Sequence, residues 1–197
     1  MNKNYVNTGR TNQKLETRSK ILVSAQYFLN NGIEFNLENI AKRTGISRAT
    51  VYRYFSNVDI LAAEAGLDVS TKSPETICKN LKGVTIEDKV LEIQEYFNNL
   101  ALDHEKLFRK YISIVLDSST STTKRGARRK KTLQLLLEKS NFTNKEKEDL
   151  SNLFTILMGI EAVIVTKDVC GLNNSESIKL MKWGMKLLLK GLNESKK

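Results

Sequence analysis

Apolar side chains along this chain recur at intervals of three and four residues, and no run alternates for long enough to suggest a strand. That period predicts helices. Ile21, Leu22, Ala25, Phe28 and Leu29 share one face of a first helix, which Thr17 is placed to start and Gly32 to stop. Leu37, Ile40 and Ala41 follow behind Asn36 as cap, Gly45 ends that short helix, and Ser47 opens a third, RATVYRYF. Only Thr44, Gly45 and Ile46 connect the two, so these helices must cross steeply. Asn57 opens a fourth helix with Leu61 and Ala65 inward, and Pro74 marks a loop after it. Thr85-Ile86-Glu87-Asp88, Asp103 and Thr143-Asn144-Lys145-Glu146 each precede a further helical pattern; two more cover Arg125 to Lys139 and Ser175 to Leu192. The expectation is an all-α chain of about nine helices.

At 197 residues, 40% of them apolar and only one a proline, the chain has the makings of one or two globular domains and not of a disordered segment. Residues 1–16, MNKNYVNTGRTNQKLE, are polar; they read as a mobile basic arm and carry no signal-peptide core, so a cytoplasmic location is expected. The longest apolar stretch, Leu153 to Val165, contains Glu161 and falls short of the ~20 residues of a membrane span. It reads as a core helix, with no membrane partner. Cys78 and Cys170 lie far apart, His104 is the single histidine, and neither a Walker sequence nor a GxGxxG occurs. No metal, no cofactor and no catalysed reaction are therefore expected.

Charge changes the picture. The net charge is +10, and through Leu61 nine basic residues stand against four acidic ones, placing half of the excess in under a third of the chain. Such a surplus favours a phosphate-rich partner. In the same region Ile40, Ala41, Gly45, Ile46 and Val51 supply the small, turning and locking residues of a helix-turn-helix, leaving Ser47, Arg48, Thr50, Tyr52 and Arg53 as a polar face. Taken alone, this pattern also describes an ordinary helical hairpin with a wet outer face. The residue types suit groove reading, since Arg pairs bidentately with guanine, Thr packs its methyl on thymine and Tyr reaches phosphate.

The segment ILVSAQYFLNNGIEFNLENIAKRTGISRATVYRYFSNVDIL resembles the N-terminal DNA-binding domain of the tetracycline-repressor (TetR) family, from Thr17 to about Leu61. The resemblance implies that Ser47, Arg48, Thr50, Tyr52, Arg53 and Tyr54 face DNA, that Thr17 contacts a phosphate from the start of the first helix, and that Ile40, Ala41, Val51 and Phe55 pack. It further implies a helix-turn-helix domain over 17–61 and a ligand-binding and dimerisation domain over 62–197. The partners implied are a palindromic double-stranded operator, a second copy of the chain, and a small-molecule effector that releases the repressor by respacing its recognition helices. Two departures stand out: Val58 sits where the family commonly carries a lysine, and the loop between Gly32 and Leu37 is one residue shorter.

Beyond residue 62, Ile178, Met181, Met185, Leu188 and Leu192 draw an apolar stripe along the last helix, and Leu153, Ile156, Ile160 and Ile164 draw another on the helix before it. In the family these two helices pair with their copies as a four-helix bundle, which makes both stripes the expected dimer interface. Phe97, Phe108, Tyr111, Phe154 and Met158, with Glu161 as the polar contact, are the candidate ligand pocket. The same aromatics describe a plain core, and Glu161 a solvent-facing carboxylate. KRGARRKK, Lys124 to Lys131, is either a solvated helix face or a site for an anion or partner. The rival function is a DNA-bound adaptor of the same fold whose C-terminal domain docks a protein.

Overall fold

The computed structural model describes residues 3–117 and 127–194. It is helical, with no strand among the described residues: α1 (Lys3–Asn30), α2 (Leu37–Thr44), α3 (Arg48–Tyr54), α4 (Val58–Ser70), α5 (Pro74–Lys79), α6 (Ile86–Asp103), α7 (Glu105–Asp117), α8 (Arg128–Leu137), α9 (Asn144–Ile156), α10 (Ile160–Ile164), a π-helical turn (Val165–Val169) and α11 (Asn174–Glu194). Lys124, Arg125 and Gly126 of the basic run lie outside the described residues.

The chain forms two compact units. The first holds α1 to α4 and α7 from Leu107 onward. Its core joins Ile21, Leu22 and Ala25 of α1, Leu37, Ile40 and Ala41 of α2, Val51 and Phe55 around α3, and Ile60, Leu61 and Ala65 of α4, with Tyr111 of α7 packed against them. Burying this apolar area, at ~25 cal/mol per Å², is what holds three short helices that would be marginal alone. Polar contacts fix the α1–α4 register: Gln26 donates to the Ala65 carbonyl at 3.4 Å and to Asp68 at 3.2 Å, and Arg18 pairs with Glu64.

Thr17 does not cap α1. The helix begins at Lys3, so most of the stretch expected to be an arm is helical, and Thr17 sits mid-helix with its hydroxyl donating to the Gln13 carbonyl at 2.8 Å. Extending an existing helix adds one hydrogen bond per residue without a new nucleus, and no proline interrupts residues 3–16.

The second unit holds α5, α6 and α8 to α11. Val90, Ile93, Phe97 and Ala101 of α6 are buried along with Leu133 and Leu137 of α8, Phe154 of α9 and Met181, Met185 and Leu189 of α11. Two of the three starts read from sequence here are present as caps, whereas Asp103 is the last residue of α6 and caps nothing. At α6, Thr85 and Asp88 exchange hydrogen bonds in a capping box, and these bonds hold the Asp88 carboxyl below the usual range. Thr143 and Glu146 do likewise at α9. Pro74 begins a helix instead of a loop: it occupies the first turn of α5, where its missing N–H costs nothing, behind Ser73 as cap.

The apolar core helix expected from Leu153 to Val165 is broken at Leu157–Gly159. Gly159 takes φ 81°, ψ −165°, a conformation that only glycine adopts without strain, and the freed backbone groups are captured by α6 and α8. Buried Gln94 donates to the Leu157 and Met181 carbonyls at 2.9 and 2.8 Å, buried Asn98 accepts from Gly159 N–H at 2.8 Å, and Arg129 donates to the Met158 carbonyl. Asn144–Val169 is long and apolar enough to cross a membrane by length and composition, but Ser151, Phe154, Met158, Ile160, Val163 and Thr166 are buried within the unit and the break interrupts it. It is a core segment.

Candidate nucleic-acid interface

The turn between α2 and α3 is fixed at both ends by hydrogen bonds that the sequence supplies locally. Asn36 and Asn39 exchange backbone-to-side-chain bonds of 2.9 and 3.0 Å at the start of α2. Gly45 closes α2 at φ 69°, in the left-handed region, which allows α3 to set off across it. Thr44 donates to the Ile40 carbonyl at 2.8 Å and accepts from Ile46 N–H at 3.3 Å, tying the turn down. Ser47 caps α3 by accepting from Thr50 N–H, and its hydroxyl donates to the Thr50 hydroxyl at 2.9 Å.

With Val51 and Phe55 buried, α3 can turn only its opposite side to water. Arg48, Tyr52 and Arg53 are exposed there, and Thr50 and Tyr54 are half-buried. Tyr54 also packs against the first unit's core, so much of its ring is structural. Arg48 is held by Glu38 of α2, Nη1 to Oε1 at 2.9 Å, across an exposed gap. Nearby, Arg43 lies 3.5 Å from the centre of the Tyr27 ring. Thr17, half-buried and engaged with its own helix, is placed in the interior of α1.

A short helix, a left-handed glycine turn and a second helix with a basic, hydroxyl-rich outer face form a helix-turn-helix. Residues 23–65, from within α1 to within α4, match the family model for bacterial regulatory proteins of the tetR family. Neither the comparison with curated proteins nor that with solved structures returned a match.

The candidate pocket residues are divided between two cores. Tyr111 packs in the first unit, where Phe108 also belongs, whereas Phe97, Phe154 and Met158 are buried side chains of the second. Glu161 is only partly buried, its side chain 36% exposed, and its two carboxylate oxygens lie 2.9 and 2.8 Å from Nη2 of Arg129. The partner comes from the basic run, which therefore serves in part as internal counter-charge; Lys130 pairs with Glu148, and Arg128 donates to the Thr71 carbonyl at 3.4 Å.

The stripes expected at the dimer interface also need correction. Ile160, Met181 and Met185 are 4%, 3% and 0% exposed, fully used by their own subunit, and Ile164, Ile178, Leu188 and Leu192 are half-buried. Leu153 and Ile156 do face out, at 41% and 67%. On α11 the bare apolar side chains are Leu180, Trp183 and Leu187, at 40%, 60% and 49% exposure. At 100° per residue they fall within an arc of about 60°, rotated roughly a quarter turn or more from the buried stripe. Gly184 borders that arc, and Leu157, just past the end of α9, comes to 3.8 Å of where its Cβ would lie. The spacing that identified the buried stripe was real; the second stripe, marked by an exposed tryptophan, was missed.

Proposed function

We propose that this regulator is a homodimeric repressor acting on DNA in the cytoplasm, released from a palindromic operator by a small-molecule ligand. The observation that carries the reading is α3, whose polar face is presented by a capped, left-handed turn on the matched segment. Arg48 and Thr50 read base edges, while Ser47, Tyr52, Arg53 and the outer edge of Tyr54 position the helix on phosphates. Dimerisation follows from the bare Leu180–Trp183–Leu187 face of α11, with the exposed Leu153 and Ile156 of α9 as further apolar side chains that a second copy would remove from water. Two recognition helices so paired read two half-sites about one helical turn apart.

Selection of bound sequences from random DNA tests the proposal, followed by sedimentation of the complex. A palindrome bound by two chains is the expected result. An absence of sequence preference would overturn it, and a selected site from which no compound releases the protein would return the C-terminal domain to the adaptor alternative.

A further inference from the structure

Within the second unit, the first turn of α6, the end of α8 with the turn after it, the start of α9 and the last turns of α11 surround a cavity of about 210 Å³. It is separate from the aromatic set considered above, apart from Phe154. Its deep wall is Leu137, Phe154 and Leu189, all at most 4% exposed. Its polar lining is Glu87, Ser140 and Asn141. Two of these are accounted for: the Ser140 hydroxyl donates to the Leu137 carbonyl at 2.6 Å, and Asn141 stands exposed in the turn.

Glu87 is different. It is half-buried, and among the described residues no hydrogen bond or ion pair reaches its carboxylate. Its neighbours are committed elsewhere: Asp88 to the capping box, and Glu92 to Lys82 N–H at 2.9 Å. Lys147, in the first turn of α9, is turned to the Glu138 carbonyl at 3.1 Å. A partly desolvated anion beside an apolar hollow is stabilised by a cation that enters with its own apolar body. An apolar cavity of roughly 150 Å³ accepts benzene, so the larger volume here leaves space for a ring and a short chain.

We propose that this cavity binds a small hydrophobic amine, its apolar part against Leu137, Phe154 and Leu189 and its ammonium group against Glu87. The inference deepens the ligand-response part of the proposed function; it rests on that reading for the consequence at DNA but not for binding itself.

The test is calorimetric titration of the full-length chain with 2-phenylethylamine and with propylbenzene, a neutral molecule of the same shape. The amine is expected to bind, and to bind about tenfold or more tightly than the hydrocarbon, with Glu87→Gln removing that preference. Asn141→Trp, a change in an exposed turn that leaves the core untouched, should close the mouth and abolish binding of both. Equal affinity of wild type and Glu87→Gln for the amine overturns the proposal, as does an absence of amine binding to the wild type. Operator binding is measured on the same preparations: its retention without amine binding sinks this site alone, and amine binding by a chain with no DNA affinity keeps the site and sinks the regulatory reading.

Discussion

On the proposed reading, a guanine edge that takes Nη1 of Arg48 competes with the 2.9 Å bond from that atom to Glu38. Both groups are exposed, and such a pair is worth only ~0.2 to 1 kcal/mol, less than the ~1 to 3 kcal/mol of a good base contact. Arg48→Ala is thus expected to weaken operator binding by ~1 to 3 kcal/mol and relax base preference at one position, as read by titration against a panel of substituted sites. Glu38→Gln should act in the opposite sense, tightening binding severalfold at low salt by removing both the competitor and a carboxylate that repels phosphate. Equal binding by the two variants would place Arg48 outside the groove. The cysteines make a separate contrast. Burial raises the Cys78 thiol above its ordinary value and its Sγ lies 3.5 Å from the Thr132 carbonyl, whereas Cys170 is exposed. A maleimide at neutral pH should label Cys170 quickly and Cys78 only slowly in the native protein, because the thiolate is the reactive form.

Helix starts were the most legible features of the sequence, because a cap is a local bargain between residues three apart. Asn36, Ser47, Thr85 and Thr143 all accept the N–H bond that their position promised. Thr17 carried the same side-chain chemistry but no matching break in the chain before it, and it lies inside a helix. Orientation was less legible. One period of 3.6 residues served two apolar stripes on α11, and only the packing of α6 against the Met181 and Met185 side shows which is internal. The α9–α10 break was also hidden, since it depends on amide side chains from α6, some sixty residues earlier. At the α6 capping box the pH dependence has a definite sign. The depressed Asp88 carboxyl stabilises the fold above the ordinary carboxylate range, and this stabilisation is lost as pH falls through the lower, folded-state value. Denaturant titrations of wild type and Thr85→Ala should therefore differ most at neutral pH and converge in acid; a constant difference would remove Asp88 from the account.

For the whole molecule, the proposed dimerisation offers an experiment that separates the two α11 stripes. Trp183→Glu with Ile156→Glu puts charge on side chains that are 60% and 67% exposed, so the subunit should stay folded by circular dichroism, sediment as a monomer and lose tight operator binding. Met185→Glu, aimed at a residue of 0% exposure, should instead unfold the second unit, since an unpaired carboxylate would be buried there. A folded, dimeric double variant would locate the interface elsewhere. The two-part makeup of the first unit bears on the order of synthesis. Tyr111, which packs on its core, is separated from Ser70 by residues of the other unit. At ~5 to 20 residues per second a ribosome takes roughly two to eight seconds to cross that interval. Until then the nascent DNA-binding module leaves the face of α4 around Gly66 without Leu107, whose Cδ2 lies 3.1 Å from where a Gly66 Cβ would stand. That side of α4 stays open to water for as long as α7 remains in the tunnel.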